Sequence, residues 1–390
     1  MDFTSRLDAI TADSLRAAAG TKWGTYPQAM GAWIAEMDFG IAEPITQRLQ
    51  DTLDHARFGY TPKTATVELA RSYADWSARC YGYEVDPHMI RPLPDVLAGM
   101  AAIIEYYTRP GTAVIVPTPA YMPFLTLPDW WDRAIVQVAM VRDGDRWVYD
   151  LDALAAAYDA HDAELLVLCN PHNPVGRVLE RDEMLAIADV VEAKGGLVFS
   201  DEIHAPLIYP GRTHVPYASL DDRTAAHTIT ATSASKAFNL AGLKCAQIVF
   251  SNPAHRDAWT RAGRWTEQGA SLPGIYANVA AYDHGEPWLT DVLGYLDRNR
   301  RALTGLVAQQ LPGVRYAEPE GTYLALLDFR ETGLGDNPSA IIRQEAGVAL
   351  TSGPACGESG RGFARINFGT PLPVLREMIE RIGGLLTRGA

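Results

Sequence analysis

The residues best suited to chemistry lie in one stretch, Thr232–Lys244, which carries the serines Ser233 and Ser235 and the lysines Lys236 and Lys244. A lysine held among small residues and away from bulk water loses its proton readily, and its neutral amine can attack a carbonyl carbon. Serine hydroxyls beside a second cation suit a phosphate group. Most lysines are solvated surface residues, so this stretch alone only suggests that Lys236 is reactive.

Two further stretches place polar residues directly after short apolar segments. One is Cys169–Arg177, with the sequence CNPHNPVGR, which follows the apolar run Glu164–Leu168. The other is Ser200–His204, with the sequence SDEIH, which follows Gly196–Phe199. Ligands of open α/β sheets bind at the carboxyl ends of such strands. The pattern therefore predicts a ligand site there.

The elements that must position these residues follow from the apolar periodicity. Helices are expected at 44–57, 67–81, 96–106, 147–160, 182–194 and 289–309. Strands are expected at 112–117, 134–141, 164–168, 197–199, 227–231, 245–251, 320–329, 347–353 and 363–368. With Asp95 as the N-cap of the third helix, the N–H groups of Val96 and Leu97 stay free, and such a helix end attracts phosphate.

The order Asn-Pro-x-Asn-Pro-x-Gly, Asp-Glu and Ser-x-Ser-Lys, followed by Lys244, resembles the fold-type I pyridoxal phosphate (PLP) enzymes of aminotransferase class I/II. The string Trp33–Phe39 (WIAEMDF) resembles the Trp-x-Ala-Asp-Met-Asp-Phe signature of the MalY/PatB-type cystathionine β-lyases, with Glu36 in place of the usual aspartate. The resemblance covers essentially the whole chain. It implies an α/β fold in which a large domain, with a mostly parallel seven-stranded sheet flanked by helices, is joined to a smaller α/β domain.

The same resemblance implies domain boundaries and a set of cofactor-binding residues. Residues 1–45 would form an N-terminal arm and part of the small domain, 46–288 the large PLP-binding domain, and 289–390 the small domain. Lys236 would carry PLP on its amine. The other residues expected to hold the cofactor are Val96, Leu97, Tyr121, Asn173, Asp201, His204, Ser233, Lys244 and, from a second subunit, Tyr60.

Asp201 and Tyr121 have physical tasks in this scheme. A carboxylate at the pyridine nitrogen keeps that nitrogen protonated, so the ring accepts electrons from a substrate carbanion. An aromatic ring at a strand exit can stack on the pyridine, which is favourable by roughly 1 kcal/mol. Near Asp95 the family usually has glycine, so backbone amides rather than side chains are expected to meet the phosphate.

Substrate contacts are expected from Arg365 and Trp33. Arg365 lies within an alternating polar and apolar segment, where a guanidinium needs an anion. A bidentate grip on the α-carboxylate of an amino acid supplies one. Trp33 would form part of the wall of the substrate mouth. Cys356 and Gly369-Thr370 depart from the family and are expected to alter the substrate pocket.

The resemblance implies a reaction in which Lys236 removes the α-proton and a sulfur group leaves the β-carbon. L-Cystathionine would give homocysteine, pyruvate and ammonia. The motifs do not separate this lyase from an aminotransferase of class I/II, although Trp33–Phe39 and His204 favour the lyase. A PLP-fold regulatory binding protein is a third alternative, against which Lys236 and Asp201 argue.

Bulk properties narrow the class of protein further. With 390 residues, 47% of them apolar and 21% charged, the chain is typical of a globular protein of about two domains. A net charge of −13 disfavours nonspecific binding to nucleic acid or an anionic membrane. No apolar run approaches the length of a membrane span, and Met1–Asp8 lacks a signal pattern.

The 4 cysteines, Cys80, Cys169, Cys245 and Cys356, lie far apart. Their spacing suits reduced thiols in the cytoplasm better than disulfides or a metal site. The expected partners are a small amino-acid substrate and a second copy of the chain, which would place the active site at the subunit interface.

Overall fold

The structure, a computed structural model, describes residues 2–388. Met1, Gly389 and Ala390 lie outside the described residues. The predicted domain boundaries include all three, and the predicted absence of a signal pattern includes Met1. Helices α1 to α15 of this region span, in chain order, Phe3–Asp8, Ala12–Ala17, Thr21–Gly24, Glu43–Asp54, Lys63–Tyr81, Val96–Tyr107, Leu151–His161, Arg181–Lys194, Asp222–His227, Pro253–Ala262, Arg264–Glu267, Leu272–His284, Glu286–Gln310, Pro338–Ile341 and Leu372–Arg388.

Strands β1 to β15 of the same region span Met30–Gly31, Ile90–Leu93, Ala113–Thr118, Ala134–Ala139, Val141–Asp143, Arg146–Val148, Ala163–Cys169, Leu197–Asp201, Thr228–Thr232, Ala246–Phe250, Arg315–Tyr316, Leu324–Asp328, Val348–Ala349, Thr351–Ser352 and Phe363–Asn367. Short 3-10 turns lie at Pro87–Met89, Met122–Leu125, Pro128–Trp131, Tyr217–Ser219, Ala241–Leu243, Pro354–Cys356 and Glu358–Gly360, and a π-helical turn at Ile342–Ala346.

The central feature is a seven-stranded sheet in the order β2-β10-β9-β8-β7-β3-β4. It is parallel apart from β10, which runs antiparallel to both of its neighbours. Every residue of β3, β9 and β10 is buried, as expected of strands covered by helices on both faces. The predicted mostly parallel seven-stranded sheet is confirmed. Because β7, β8 and β9 are adjacent and parallel, the polar residues that follow them meet at one edge.

A second, antiparallel sheet in the order β11-β12-β15-β14 lies in the C-terminal part of the chain, where α13 packs against α15. The N-terminal segment joins it, since β1 pairs in parallel with β13. All strands of the seven-stranded sheet fall within 46–288 and all strands of the four-stranded sheet within 289–390. The exact domain boundaries stay a prediction.

The predicted helices and strands are present with end shifts of a few residues, apart from three differences. The helix predicted at 147–160 begins only at Leu151, because Asp150 caps it by accepting a hydrogen bond from Ala153 N. The residues before the cap form β6, which pairs with β5 and buries Trp147. The strand predicted at 320–329 begins at Leu324, and the one predicted at 347–353 is split into β13 and β14. Among residues 2–388, no helix combines the length and the apolarity that crossing a membrane requires.

Candidate active site

A cleft of about 500 Å³ opens at the edge where β7, β8 and β9 end. It contains every predicted site residue except Tyr60. These residues are Trp33, Val96, Leu97, Tyr121, Asn173, Asp201, His204, Ser233, Lys236, Lys244 and Arg365. The loops after the three strands supply Asn173, Asp201, Ser233 and Lys236, so the parallel register itself brings these groups together.

Lys236 lies in the turn after β9 and is held in the cleft by a hydrogen bond from its Nζ to Ala35 O, 2.9 Å away. Burial, together with the nearby charge of Arg365, lowers the pKa of this amine to about 8, although Glu36 and Asp201 act in the opposite direction. A substantial fraction of the amine is therefore neutral near pH 8. That is the state in which lysine is a nucleophile or a base.

Asp201 ends β8 with its carboxyl group buried. Oδ1 accepts a hydrogen bond from Ile203 N at 3.1 Å, and Cys169 Sγ lies 3.8 Å from Oδ2. Burial raises the pKa of Asp201 to about 7, although the Ile203 N–H and the charge of Lys236 favour the ionised form. This carboxylate lacks a salt-bridge partner in residues 2–388. A cationic nitrogen bound in the cleft would stabilise it.

Arg365, in β15, is almost fully buried and forms no salt bridge with any carboxylate in residues 2–388. Its guanidinium donates to Asn173 Oδ1 at 2.9 Å, to Trp33 O at 2.6 Å and to Thr351 Oγ1 at 2.9 Å. Burial lowers the pKa of this group. A buried guanidinium that is bound only by neutral oxygens lacks its counter-ion, so the geometry suits a ligand carboxylate.

Asn173 and His204 complete the floor of the cleft. Asn173 uses its Oδ1 for Arg365, which leaves its amide NH₂ available to donate to a ligand. His204 packs edge to face against Tyr323 with ring centroids 5.9 Å apart, and its buried Nδ1 has no hydrogen-bond partner in residues 2–388. Burial, together with the charges of Lys236 and Arg365, keeps the pKa of His204 well below its usual value. The imidazole is therefore neutral.

Tyr121 follows the turn after β3 and packs edge to face against Phe124, with ring centroids 5.4 Å apart. Burial raises the pKa of its phenol. Since Tyr121 lines the cleft beside Asp201 and Asn173, a flat heteroaromatic ring can lie against it.

The end of the cleft near α6 has groups that can bind an anion, although it also contains the carboxylate of Asp95. Asp95 caps α6 as predicted, with Oδ1 accepting from Ala98 N at 2.8 Å, so that the amides of Val96 and Leu97 stay free at the helix start. The other oxygen of Asp95 pairs with Lys244 Nζ at 3.0 Å. Both partners are substantially exposed, so this pair adds little stability and a phosphate can compete for Lys244.

Ser233 uses its hydroxyl within the protein, because Oγ donates to Cys245 O at 2.7 Å and accepts from Ser235 N at 3.0 Å. The Ser233 side chain orders the turn that presents Lys236. A hydroxyl hydrogen can rotate, so binding of an anion would require Ser233 to exchange its contact with Cys245 for one with the ligand.

The segment Trp33–Asp38 closes the mouth of the cleft through contacts that sequence reasoning missed. Asn239 holds it to the large sheet, since Oδ1 accepts from Met37 N at 3.0 Å and Nδ2 donates to Met37 O at 2.9 Å. Asn367 holds it to the four-stranded sheet by donating to Ile34 O at 2.6 Å and Glu36 O at 2.7 Å. Asn239 is three residues from Lys236, and Asn367 is two residues from Arg365. This closeness to predicted site residues is the one feature of the sequence that could have indicated their role.

Tyr60 lies outside the cleft. It is fully exposed in the loop between α4 and α5. Phe58, in the same loop, is 59% exposed, and Trp265, in α11, is 79% exposed. Thr61 and Arg264, which neighbour these side chains in sequence, line one surface hollow. The structure thus gives Tyr60 no role in the cleft of its own subunit.

The groups in the cleft fit PLP. The cofactor offers a protonatable ring nitrogen for Asp201, a phenolic oxygen for the Asn173 amide, a phosphate for the start of α6 and Lys244, and an aldehyde for Lys236. The unpaired carboxyl group of Asp201 and the free amides of Val96 and Leu97 at the start of α6 are the observations that support this fit.

Comparison with known proteins identifies the family. Residues 34–382 match the model of the family described as aminotransferase class I and II. The chain is 37% identical over 371 residues to the cystathionine beta-lyase of Corynebacterium glutamicum, covering 94% of this chain and 96% of that protein. It is 31% identical over 390 residues to cystathionine beta-lyase PatB of Bacillus subtilis, covering 99% and 100%.

Among solved structures, cystalysin from Treponema denticola, which contains a pyridoxal 5'-phosphate cofactor, superposes with a TM-score of 0.91 at 29% identity, covering 100% of this chain and 99% of that one. With near-complete coverage in every comparison, the fold-type I architecture applies to the whole chain. The chain belongs to the aminotransferase class I and II family and, within it, to the group that contains the PatB-type cystathionine β-lyases.

Proposed function

We propose that the protein is a PLP-dependent carbon–sulfur β-lyase that cleaves L-cystathionine or a related cysteine S-conjugate to a thiol, pyruvate and ammonia. One observation carries the proposal: a single cleft holds a lysine of lowered pKa, a buried carboxyl group and a buried, unpaired arginine. Relatives that share nearly the whole chain are named cystathionine beta-lyases.

In this scheme the protein side chains hold the cofactor at both of its ends. Asp201 would pair with the ring nitrogen, Asn173 would donate to the phenolic oxygen, Tyr121 would stack on the ring and His204 would lie near it. The amides of Val96 and Leu97 bind the phosphate together with Ser233 and Lys244. Bound PLP supplies the electron sink that stabilises a carbanion at the substrate α-carbon.

The remaining groups act on the substrate. Arg365 binds the α-carboxylate, which fixes the α-carbon in front of Lys236. The neutral amine of Lys236 would remove the α-proton, and the thiolate would then leave from the β-carbon. Water would hydrolyse the resulting 2-aminoacrylate to pyruvate and ammonia. Trp33 would form part of the wall of the substrate mouth, in a segment held in place by Asn239 and Asn367.

An assay for products distinguishes this function from its alternatives. With L-cystathionine, the purified protein loaded with PLP is expected to release a thiol, pyruvate and ammonia in equal amounts without an added 2-oxo acid. The physical reason is that elimination of the thiolate consumes no second substrate, whereas transamination needs a 2-oxo acid to accept the amino group. Thiol reagent, lactate dehydrogenase and glutamate dehydrogenase measure the three products.

Two other results of this assay would contradict the lyase proposal. Turnover that requires a 2-oxo acid and releases no thiol belongs to an aminotransferase. A protein that gains no visible absorbance with added PLP is a binding protein of the same fold. A commercial cystathionine β-lyase in the same buffer serves as the positive control.

We further propose that the enzyme is a cytoplasmic homodimer in which Tyr60 of one subunit reaches the phosphate site of the other. Tyr60 is exposed in the same loop as the exposed Phe58, and exposed aromatic side chains are typical of interfaces. All 4 cysteines are free thiols, which suits a reducing compartment. The domain boundaries at 45/46 and 288/289 are part of the same proposal.

Subunit complementation tests the position of Tyr60. Tyr60→Ala weakens phosphate binding and Lys236→Ala removes the reactive amine, so each homodimer is expected to be impaired. A heterodimer of the two variants has one site with both residues intact when Tyr60 acts across the interface. Differently tagged chains are co-expressed and the heterodimer is purified, and its activity is expected to be about half that of the wild type at limiting PLP.

The control is a heterodimer of two differently tagged Tyr60→Ala chains, which has no intact site. If Tyr60 acts within its own subunit, the mixed heterodimer contains no complete site either. Activity no greater than that control would therefore exclude a role across the interface.

A further inference from the structure

Three carboxylates line the cleft, and two of them have evident tasks. Asp95 caps α6 and pairs with Lys244. Asp201 lies at the end of β8, where it would pair with the ring nitrogen of the proposed cofactor. The third is Glu36, in the segment that closes the mouth. The proposed lyase reaction assigns no task to it.

The backbone of Glu36 is held firmly from three directions. Its N–H donates to Ile34 O at 2.9 Å, and its carbonyl oxygen accepts from Lys22 Nζ at 3.0 Å and from Asn367 Nδ2 at 2.7 Å. The side-chain carboxylate, by contrast, makes no hydrogen bond or salt bridge with any group in residues 2–388. Glu36 is therefore a half-buried anion in a fixed position, facing a ligand cleft without a counter-ion.

Each cation of this region has a partner or a proposed task other than Glu36. Lys22 Nζ lies 2.7 Å from Asp38 Oδ2, so it neutralises a different carboxylate. Lys236 is close enough for Glu36 to raise its pKa, but its Nζ donates to Ala35 O. Arg365 is bound to the neutral oxygens of Asn173, Trp33 and Thr351, and the proposed function assigns its charge to the substrate α-carboxylate. A cation for Glu36 has to come with the ligand.

We propose that Glu36 binds a positive charge on the departing arm of the substrate, and that the enzyme therefore prefers thioethers whose sulfur-bound arm carries an ammonium group. This inference rests on the proposed lyase function. The α-carboxylate goes to Arg365 and the α-amino group to the cofactor. The arm beyond sulfur is the part of the substrate left to meet the closing segment. The homocysteine arm of L-cystathionine carries such an ammonium group.

The test compares two thioethers of equal length, S-(2-aminoethyl)-L-cysteine and S-propyl-L-cysteine, which differ in the charge at the end of the arm. For Glu36→Gln, kcat/KM for the aminoethyl compound is expected to fall roughly tenfold or more, as expected for loss of a charge-assisted contact. For the propyl compound it should change less than about twofold. Glu36→Asp keeps the charge and is expected to retain part of the preference. Because the Glu36 side chain makes no contact that folding needs, both variants should fold.

Equal losses for the two thioethers would overturn the inference, since that pattern belongs to a residue that acts on Lys236 or on a step common to all substrates. Unchanged values for both would overturn it as well. If the wild type cleaves neither of these thioethers nor L-cystathionine, the lyase proposal fails, and a binding measurement tests the role of Glu36 separately. Calorimetric titration of the PLP-loaded protein with L-lysine and with uncharged L-2-aminoheptanoate should then show a preference for lysine that Glu36→Gln abolishes, and its absence would overturn the inference.

Discussion

Replacing Lys236 with alanine is expected to reduce kcat for thioether cleavage at least about 10²- to 10⁴-fold, the usual contribution of a general base. The loss is larger if attachment of the cofactor is also impaired, because Lys236 is the amine of lowered pKa that faces the cleft. Lys236 Nζ forms one described hydrogen bond, to Ala35 O, so the substitution removes little that the fold depends on. Pyruvate release measures the effect, and mass spectrometry after borohydride reduction shows whether PLP is attached to the chain.

Lys244→Ala is the matched control for Lys236→Ala, because it removes a second lysine from the same cleft. Lys244 is exposed and pairs with Asp95, so its loss should weaken cofactor binding without removing the reactive amine. Excess PLP is therefore expected to restore most of the activity of Lys244→Ala and none of the activity of Lys236→Ala. A Lys236→Ala enzyme that keeps more than about a tenth of the wild-type kcat would refute the role given to Lys236.

Asp201→Asn is expected to lower kcat/KM by roughly 30- to 5000-fold, which corresponds to the roughly 2–5 kcal/mol lost when one partner of a buried charge pair is removed. The asparagine has nearly the same shape, but it carries no charge to keep the ring nitrogen of PLP protonated. The electron sink then weakens, so the loss should appear in kcat more than in KM. Steady-state kinetics at saturating PLP measures it, and the visible absorbance shows whether the cofactor is bound.

Cys169→Ser provides the comparison for Asp201→Asn. Cys169 Sγ lies 3.8 Å from the Asp201 carboxylate, so this substitution changes the surroundings of the carboxylate and leaves its charge in place. We expect it to cost less than about tenfold in kcat. If Asp201→Asn were as active as Cys169→Ser, the charge of Asp201 would not be what the reaction needs. A large loss accompanied by unfolding, detected by circular dichroism, would be assigned to stability and not to catalysis.

Much of the cleft could be predicted from sequence because its groups follow strands. Asn173, Asp201 and Lys236 come shortly after three apolar runs, and parallel strands bring their carboxyl ends to one edge of the sheet. The cap at Asp95 was predicted for a similar local reason, since an N-cap depends on residues within one turn. The helix predicted at 147–160 was wrong at its start because apolar periodicity did not reveal that Asp150 caps a shorter helix.

Pairing between distant residues was beyond such reasoning. Arg365 and Asn173 lie 192 residues apart in the chain, yet the guanidinium bonds the amide oxygen. The sequence could not show whether a carboxylate of the protein pairs with Arg365. Such a pair would make Arg365 structural, whereas its absence leaves the guanidinium free to bind a ligand carboxylate. The same holds for Asn239 and Asn367, whose contacts with the segment Trp33–Asp38 join two sheets.

The order and types of the residues were thus enough to predict the fold class, the family and most of the side chains that line the cleft, because strand polarity and local capping are short-range properties. Tertiary packing decided which charges are left unpaired. Glu36, Asp201 and Arg365 are available to ligands because folding engages the neighbouring cations and carboxylates with other partners, among them Lys22 with Asp38 and Lys244 with Asp95. Charge complementarity depends on distances in space, which spacing along the chain does not encode.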